Sequence, residues 1–133
     1  MNENKLTAIT MGNREKWLRA WCKGRIYNFE SNAQRNTFIY YYFLTVQAAY
    51  GTVYAEEYTN NMNSCFSVPI PETELKRKMQ IFSSLEHRNK RFKNETIISN
   101  LGITEKEVAD LRIGHNLVYQ AERQTRKSNR EDR

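Results

Sequence analysis

From Phe38 to Tyr50 the chain is apolar almost without a break, and its periodicity is helical. Phe38, Ile39, Tyr42, Val46 and Tyr50 recur at spacings of three and four and fall on one face. Tyr41, Phe43, Leu44 and Ala48 make the remaining faces apolar too, the pattern of a helix buried on most sides. Ser31 with Gln34 three residues later is a capping box that opens this helix, and Gly51 suits the left-handed position that ends it. Thr52 can cap a second helix over residues 53–66, with Tyr54, Tyr58, Met62, Cys65 and Phe66 on one stripe. Pro69 and Pro71 stop it, and Pro71 fits the first position of a third helix reaching residue 85, where no amide donor is needed. Leu75, Met79 and Phe82 face inward there, and Lys76, Arg77 and Lys78 cover the outer face.

On the N-terminal side, residues 1–12 read as a flexible leader. Asn13 then caps a helix through about residue 29, with Trp17, Leu18, Trp21, Cys22, Ile26 and Phe29 on one side. The tryptophans, one turn apart, fit a core stripe better than a stacking platform for single strands. On the C-terminal side, residues 86–93 form a basic connector without helical periodicity. Asn94 can cap a short helix holding Ile97, Ile98 and Leu101, Gly102 ends it, and Thr104 with Glu107 forms a second capping box. Val108 and Leu111 face inward from the helix that follows, which gives the spacing of a helix-turn-helix. Ile98 stands where such motifs usually carry a small residue. Glu105, Glu107 and Asp110 outweigh Lys106 on the second helix, which is unfavourable between the phosphates of a major groove. A plain helical hairpin fits at least as well. Leu117, Val118 and Ala121 support a last turn or two, and residues 119–133 read as a basic, frayed tail.

The expected fold is therefore all-α: a compact bundle of about five to six helices with a helix-turn-helix-like hairpin near the C-terminus. One domain spans residues 13–118, made of an aromatic-rich bundle (13–85), the connector (86–93) and the hairpin (94–118). The length of 133 residues fits one domain, and five glycines and two prolines are too few for a many-turned all-β fold.

Charge sharpens this picture. The net charge is +6, with a pI near 9.4. Residues 14–25, 76–93 and 112–133 are net positive, whereas 26–75 and 94–111 are net negative. Segregated positive blocks attract a polyanion, most commonly nucleic acid, with solvated faces as the competing reading. The candidate nucleic-acid contacts are Lys76, Arg77, Lys78, Arg88, Lys90, Arg91 and Lys93, with Arg14, Arg19 and Lys23 in support and Lys106 on the hairpin. Arg35, at a helix start, reads as an anchor of the bundle.

Catalytic chemistry is sparse. Asp110 and Asp132 are the only aspartates, so no paired-Asp metal site is available. Cys22, Cys65, His87 and His115 lack ligand spacing; the cysteines read as core and the histidines as surface. No glycine-rich phosphate loop is present, Glu56 and Glu57 point apart on a helix, and Ser84 with His87 lacks an orienting acid. The expectation is a non-enzyme without cofactor or metal. Two cysteines and a polar N-terminus suggest a reducing, cytoplasmic setting, and the apolar run is too short to span a bilayer.

Several of these features occur together in one family. Arg35–Asn36 opens an aromatic-rich helix with Gly51 at its end. Asn63 precedes Phe66, and Pro69-Ile70-Pro71-Glu72 with Glu74 opens the next helix. The run RFKNETIISNLGIT with Glu107 closes the pattern. In this order and spacing, residues 31–107 resemble the helical C-terminal domain of primase-like and replication-initiation proteins of plasmids, phages and integrative elements. The resemblance implies a helical domain that assists a neighbouring primase or helicase, by contacting template or nucleic-acid backbone. The residues before it are too few for a catalytic primase domain, so the expectation is a module standing alone. The leading functional expectation is a non-enzymatic, replication-linked accessory protein of a mobile element, binding DNA more readily than RNA. A helix-turn-helix transcription regulator and an interaction protein that inhibits a host protein, such as a defence nuclease, are the alternatives. A replication protein or a host protein is the partner class, with no membrane role and the oligomeric state open.

Overall fold

A computed structural model describes residues 3–84, 87, 90 and 92–113, with side chains from Thr7 onward. Six helices occur among the described residues: α1 (Glu3–Gly24), α2 (Asn32–Tyr50), α3 (Thr52–Cys65), α4 (Glu72–Phe82), α5 (Asn94–Leu101) and α6 (Glu105–Leu111). The described residues form an all-helical bundle, as their periodicity predicts. Leu85, the tail and the turns expected around Leu117 lie outside the described residues.

The central element is α2. It is apolar on every side because α1, α3, α4 and α5 all pack on it. Phe38, Ile39, Phe43 and Val46 are fully buried, with Tyr41, Tyr42 and Leu44 nearly so. Trp21, Phe29, Phe38 and Phe66 form a ring cluster on one side, with Phe29 and Phe66 edge to face at 4.9 Å. Such pairs add about 0.5–1.5 kcal/mol each beyond burial. A second cluster joins Tyr40 to Phe82 at 5.1 Å, while Phe92 sits against Tyr41 at 5.1 Å.

Helix ends follow the local chemistry, with some shifts. Ser31 Oγ accepts from the Gln34 amide at 3.0 Å. Gln34 Oε1 accepts from the amide of Glu30, one residue before the cap, and Gln34 Nε2 donates to the Leu101 carbonyl. Gly51 has φ +99°, which a residue with a Cβ rarely adopts, so glycine sets the sharp turn from α2 into α3. Thr52 is the first residue of α3 rather than its cap, and its hydroxyl accepts from Gln47. Pro71 and Lys93 occupy the N-cap positions of α4 and α5, so Asn94 begins α5 instead of capping it. The Thr104–Glu107 capping box is complete in both directions.

Four expectations are corrected. Residues 3–12 are not a loose leader but the first turns of α1, so Asn13 is mid-helix. The helix then stops at Gly24, five residues earlier than the apolar stripe suggests. Ile26 and Tyr27 turn left-handed, at φ +57° and +56°, and the Tyr27 amide reaches back to the Cys22 carbonyl. That turn throws Ile26 outward, 79% exposed, while Phe29 still reaches the core. Cys22 is buried as expected, whereas Cys65 ends α3 on the exposed side. His87 is half-buried against Tyr40 rather than on the open surface.

The loop from α3 to α4 is held by polar side chains. Asn63 donates to the Ile70 carbonyl at 2.9 Å and accepts from the Ile70 amide at 2.8 Å. Arg35, buried as an anchor should be, donates to the Val68 carbonyl at 3.0 Å. Among the described residues no helix is long and apolar enough to cross a membrane.

Candidate nucleic-acid interface

The N-terminal half of α2 forms the floor of an open groove of about 510 Å³. Asn36, Thr37, Tyr40 and Tyr41 project from the floor, Lys78 and Phe82 from α4, and Asn100 from α5. The groove exists because α4 and α5 both pack on α2 without packing extensively on each other. Its polar groups are fixed. The Asn100 amide donates to Tyr41 Oη at 2.6 Å, and Tyr40 Oη shares a hydrogen bond with His87 Nδ1 at 3.2 Å. His87 and Phe92 both lean on Tyr40 and so stand beside the groove. Amides, aromatic rings and a cation in a half-open cleft suit a sugar–phosphate backbone with occasional base contact.

The predicted cations divide among different surroundings. Lys76 and Arg77 are exposed on α4. Lys78 is one turn from Glu74, with Nζ 3.7 Å from its carboxylate, and reaches the groove. Lys93 is exposed at the cap of α5, and Lys90 is exposed on the connector. Arg88 and Arg91 lie outside the described residues. Lys23 is exposed in the last turn of α1, and Lys106 is exposed on α6.

Arg14 is a correction. It is 8% exposed and its guanidinium is committed inside the protein. Nη2 donates to the Phe92 carbonyl at 2.8 Å and to Asn94 Oδ1 at 2.9 Å, and Nε also reaches Asn94. It clamps the end of the connector onto α1 and offers no surface to a phosphate. Arg19 is separated from it by five residues, which turns it roughly 140° around the helix at 3.6 residues per turn. It pairs with Glu15 at 3.2 Å on the side of α1 that faces α3. The cations of α1 therefore do not form one surface.

The hairpin of α5 and α6 has the turn expected of it, with Gly102 left-handed at φ +70°. Helix α6 has only seven residues, about 10 Å of rise. Glu105 and Asp110 are exposed on it beside Lys106. A helix this short and acidic packs against α1 as a buttress more readily than it enters a groove.

The groove's neutral lining is barely legible in the sequence. Asn36 carried a signal, since it opens the aromatic helix; Thr37 and Asn100 carried none. Among the described residues no group of three His, Cys, Asp or Glu side chains is placed to hold a metal ion. No protein-family model, no curated protein and no solved structure matches this chain.

Proposed function

We propose that this chain is a non-enzymatic nucleic-acid-binding accessory module, linked to replication in a mobile element, that holds DNA backbone along the α4–α5 groove. The observation that supports this reading is the groove itself, with Lys78 inside it and His87 and Phe92 packed beside it on Tyr40. Lys76 and Arg77 are exposed on α4 and Lys93 is exposed at the start of α5, adding positive charge to the two helices that border the groove. The replication link rests on the resemblance of residues 31–107 to the helical domains of replication-initiation proteins. Binding through backbone cations is expected to be largely independent of sequence and to weaken steeply with salt.

The test is a salt titration against single-stranded DNA, duplex DNA and RNA, with the parent chain and the variant Lys76→Glu, Arg77→Glu, Lys93→Glu. Reversing three backbone contacts should lower DNA affinity by tenfold or more and flatten the salt slope by about three. Equal affinity in parent and variant would sink the reading. A footprint confined to a palindrome and lost on changing Lys106 would favour a transcription regulator instead. A stoichiometric protein complex formed without DNA would favour an inhibitor of a host protein.

A further inference from the structure

A second cleft lies between α1 and α3, apart from the α4–α5 groove, with a volume of about 390 Å³. Its floor contains a carboxylate, Glu15, only 4% exposed. Burying a charge is costly unless partners compensate it, and here two do. Tyr42 Oη donates to Glu15 Oε2 at 2.8 Å, and Arg19 Nε lies 3.2 Å from the same oxygen. The carboxylate is thereby occupied, and its effect is to orient Arg19 at the edge of the cleft. The Arg19 side chain remains 55% exposed, and Lys16 is exposed beside it. Two cations against one carboxylate leave the rim positive.

The walls are tyrosines. Tyr50 and Tyr58 lie 6.0 Å apart at 51°, and Tyr54 meets Tyr58 edge to face at 6.2 Å on the exposed side. Tyr50 lies over α1 at Gly12, where a Cβ would stand 3.2 Å from its hydroxyl. Tyrosine combines a stacking face with a hydroxyl that tolerates water, so such walls suit a planar polar group in a half-open site. A cationic guest would meet Lys16 and Arg19, and an apolar guest would strand the charges. A planar group carrying an anion satisfies both halves of the cleft.

We propose that this cleft binds one unstacked nucleotide, its base against Tyr50 and Tyr58 and its phosphate at Lys16 and Arg19. The nucleotide is either free or a unit of a single strand. The volume lies within the range of small-ligand sites and takes a base with its sugar.

Cys65 lines the same cleft and is exposed, whereas Cys22 is buried, so the protein carries its own reporter. The test measures alkylation of Cys65 by N-ethylmaleimide with dAMP, with a single-stranded tetranucleotide, or with inorganic phosphate. Either nucleotide ligand should slow the reaction saturably, and phosphate alone should not. Tighter protection by the tetranucleotide than by dAMP assigns the site to a strand. Tyr58→Leu and Arg19→Gln should each raise the half-protecting concentration about tenfold. Arg19 is largely exposed, so its variant carries the test if Tyr58→Leu fails to fold. Lys76→Glu with Arg77→Glu should leave protection unchanged, which separates this site from the groove. Absence of protection by both nucleotides, equal protection by phosphate, or protection unaltered in the Arg19 variant would overturn the proposal.

Discussion

Asn63 holds Ile70 through both ends of its side-chain amide, donating to the carbonyl and accepting from the backbone amide. That pair of bonds closes the loop between α3 and α4 like a missing strand pairing. Arg35 grips the same loop at Val68, and Phe66 within it fills the aromatic cluster. Arg35, Asn63 and Phe66 thus shape this loop together. Their task in the chain is structural, and it positions α4 with its cations.

Asn63→Ala should destabilise the fold by about 3 kcal/mol, because it leaves the donor and the acceptor of Ile70 buried without partners. Urea unfolding followed by circular dichroism measures it. Asn63→Asp loses the donor to the carbonyl and also buries a carboxylate against it, so the informative variant is Ala, and a loss below about 1 kcal/mol there would contradict this account.

Arg14 and the exposed cations should separate cleanly. Arg14→Ala removes charge-assisted bonds to Phe92 and Asn94 and should cost about 2–3 kcal/mol of stability. DNA affinity, measured below the melting transition, should stay within about twofold of the parent, since no phosphate contact is lost. A large fall in affinity without loss of stability would return Arg14 to the binding surface.

Ile26 occupies a left-handed conformation that costs a β-branched residue about 1–2 kcal/mol, and its side chain is exposed. Ile26→Asn should therefore raise the melting midpoint by a few degrees, as read by calorimetry. An unchanged or lower midpoint would mean that the turn is not strained.

Burial pushes the Cys22 thiol up to about 12 from its ordinary 9.0. The protonated thiol is favoured in the fold, so this contribution to stability is complete below about pH 9 and declines as pH rises toward 12. At pH 8 alkylation should mark Cys65 promptly and Cys22 only after unfolding. Peptide mapping after timed exposure to iodoacetamide distinguishes the two.

The helices were legible because their signals are local. Capping at Ser31 and Thr104, Gly51, Gly102 and the all-round apolar α2 each rest on a few neighbouring residues. Arg14 was misread for the opposite reason. A cation beside other cations resembles a surface block, and only a partner 80 residues away, Asn94, makes it a clamp. The early stop of α1 was hidden in the same way, since Ile26 and Phe29 continue the stripe although the backbone has already turned.

Sequence alone determined the helical class and the central helix, because period and capping are properties of short segments. Tertiary structure decided which charges share a surface. The angle around α1 sends Arg14 to the connector and Arg19 to the tyrosine cleft, and the packing of α4 and α5 on α2 opens the groove. Those are distances between residues far apart in the chain, and they are fixed only when the faces of the helices meet.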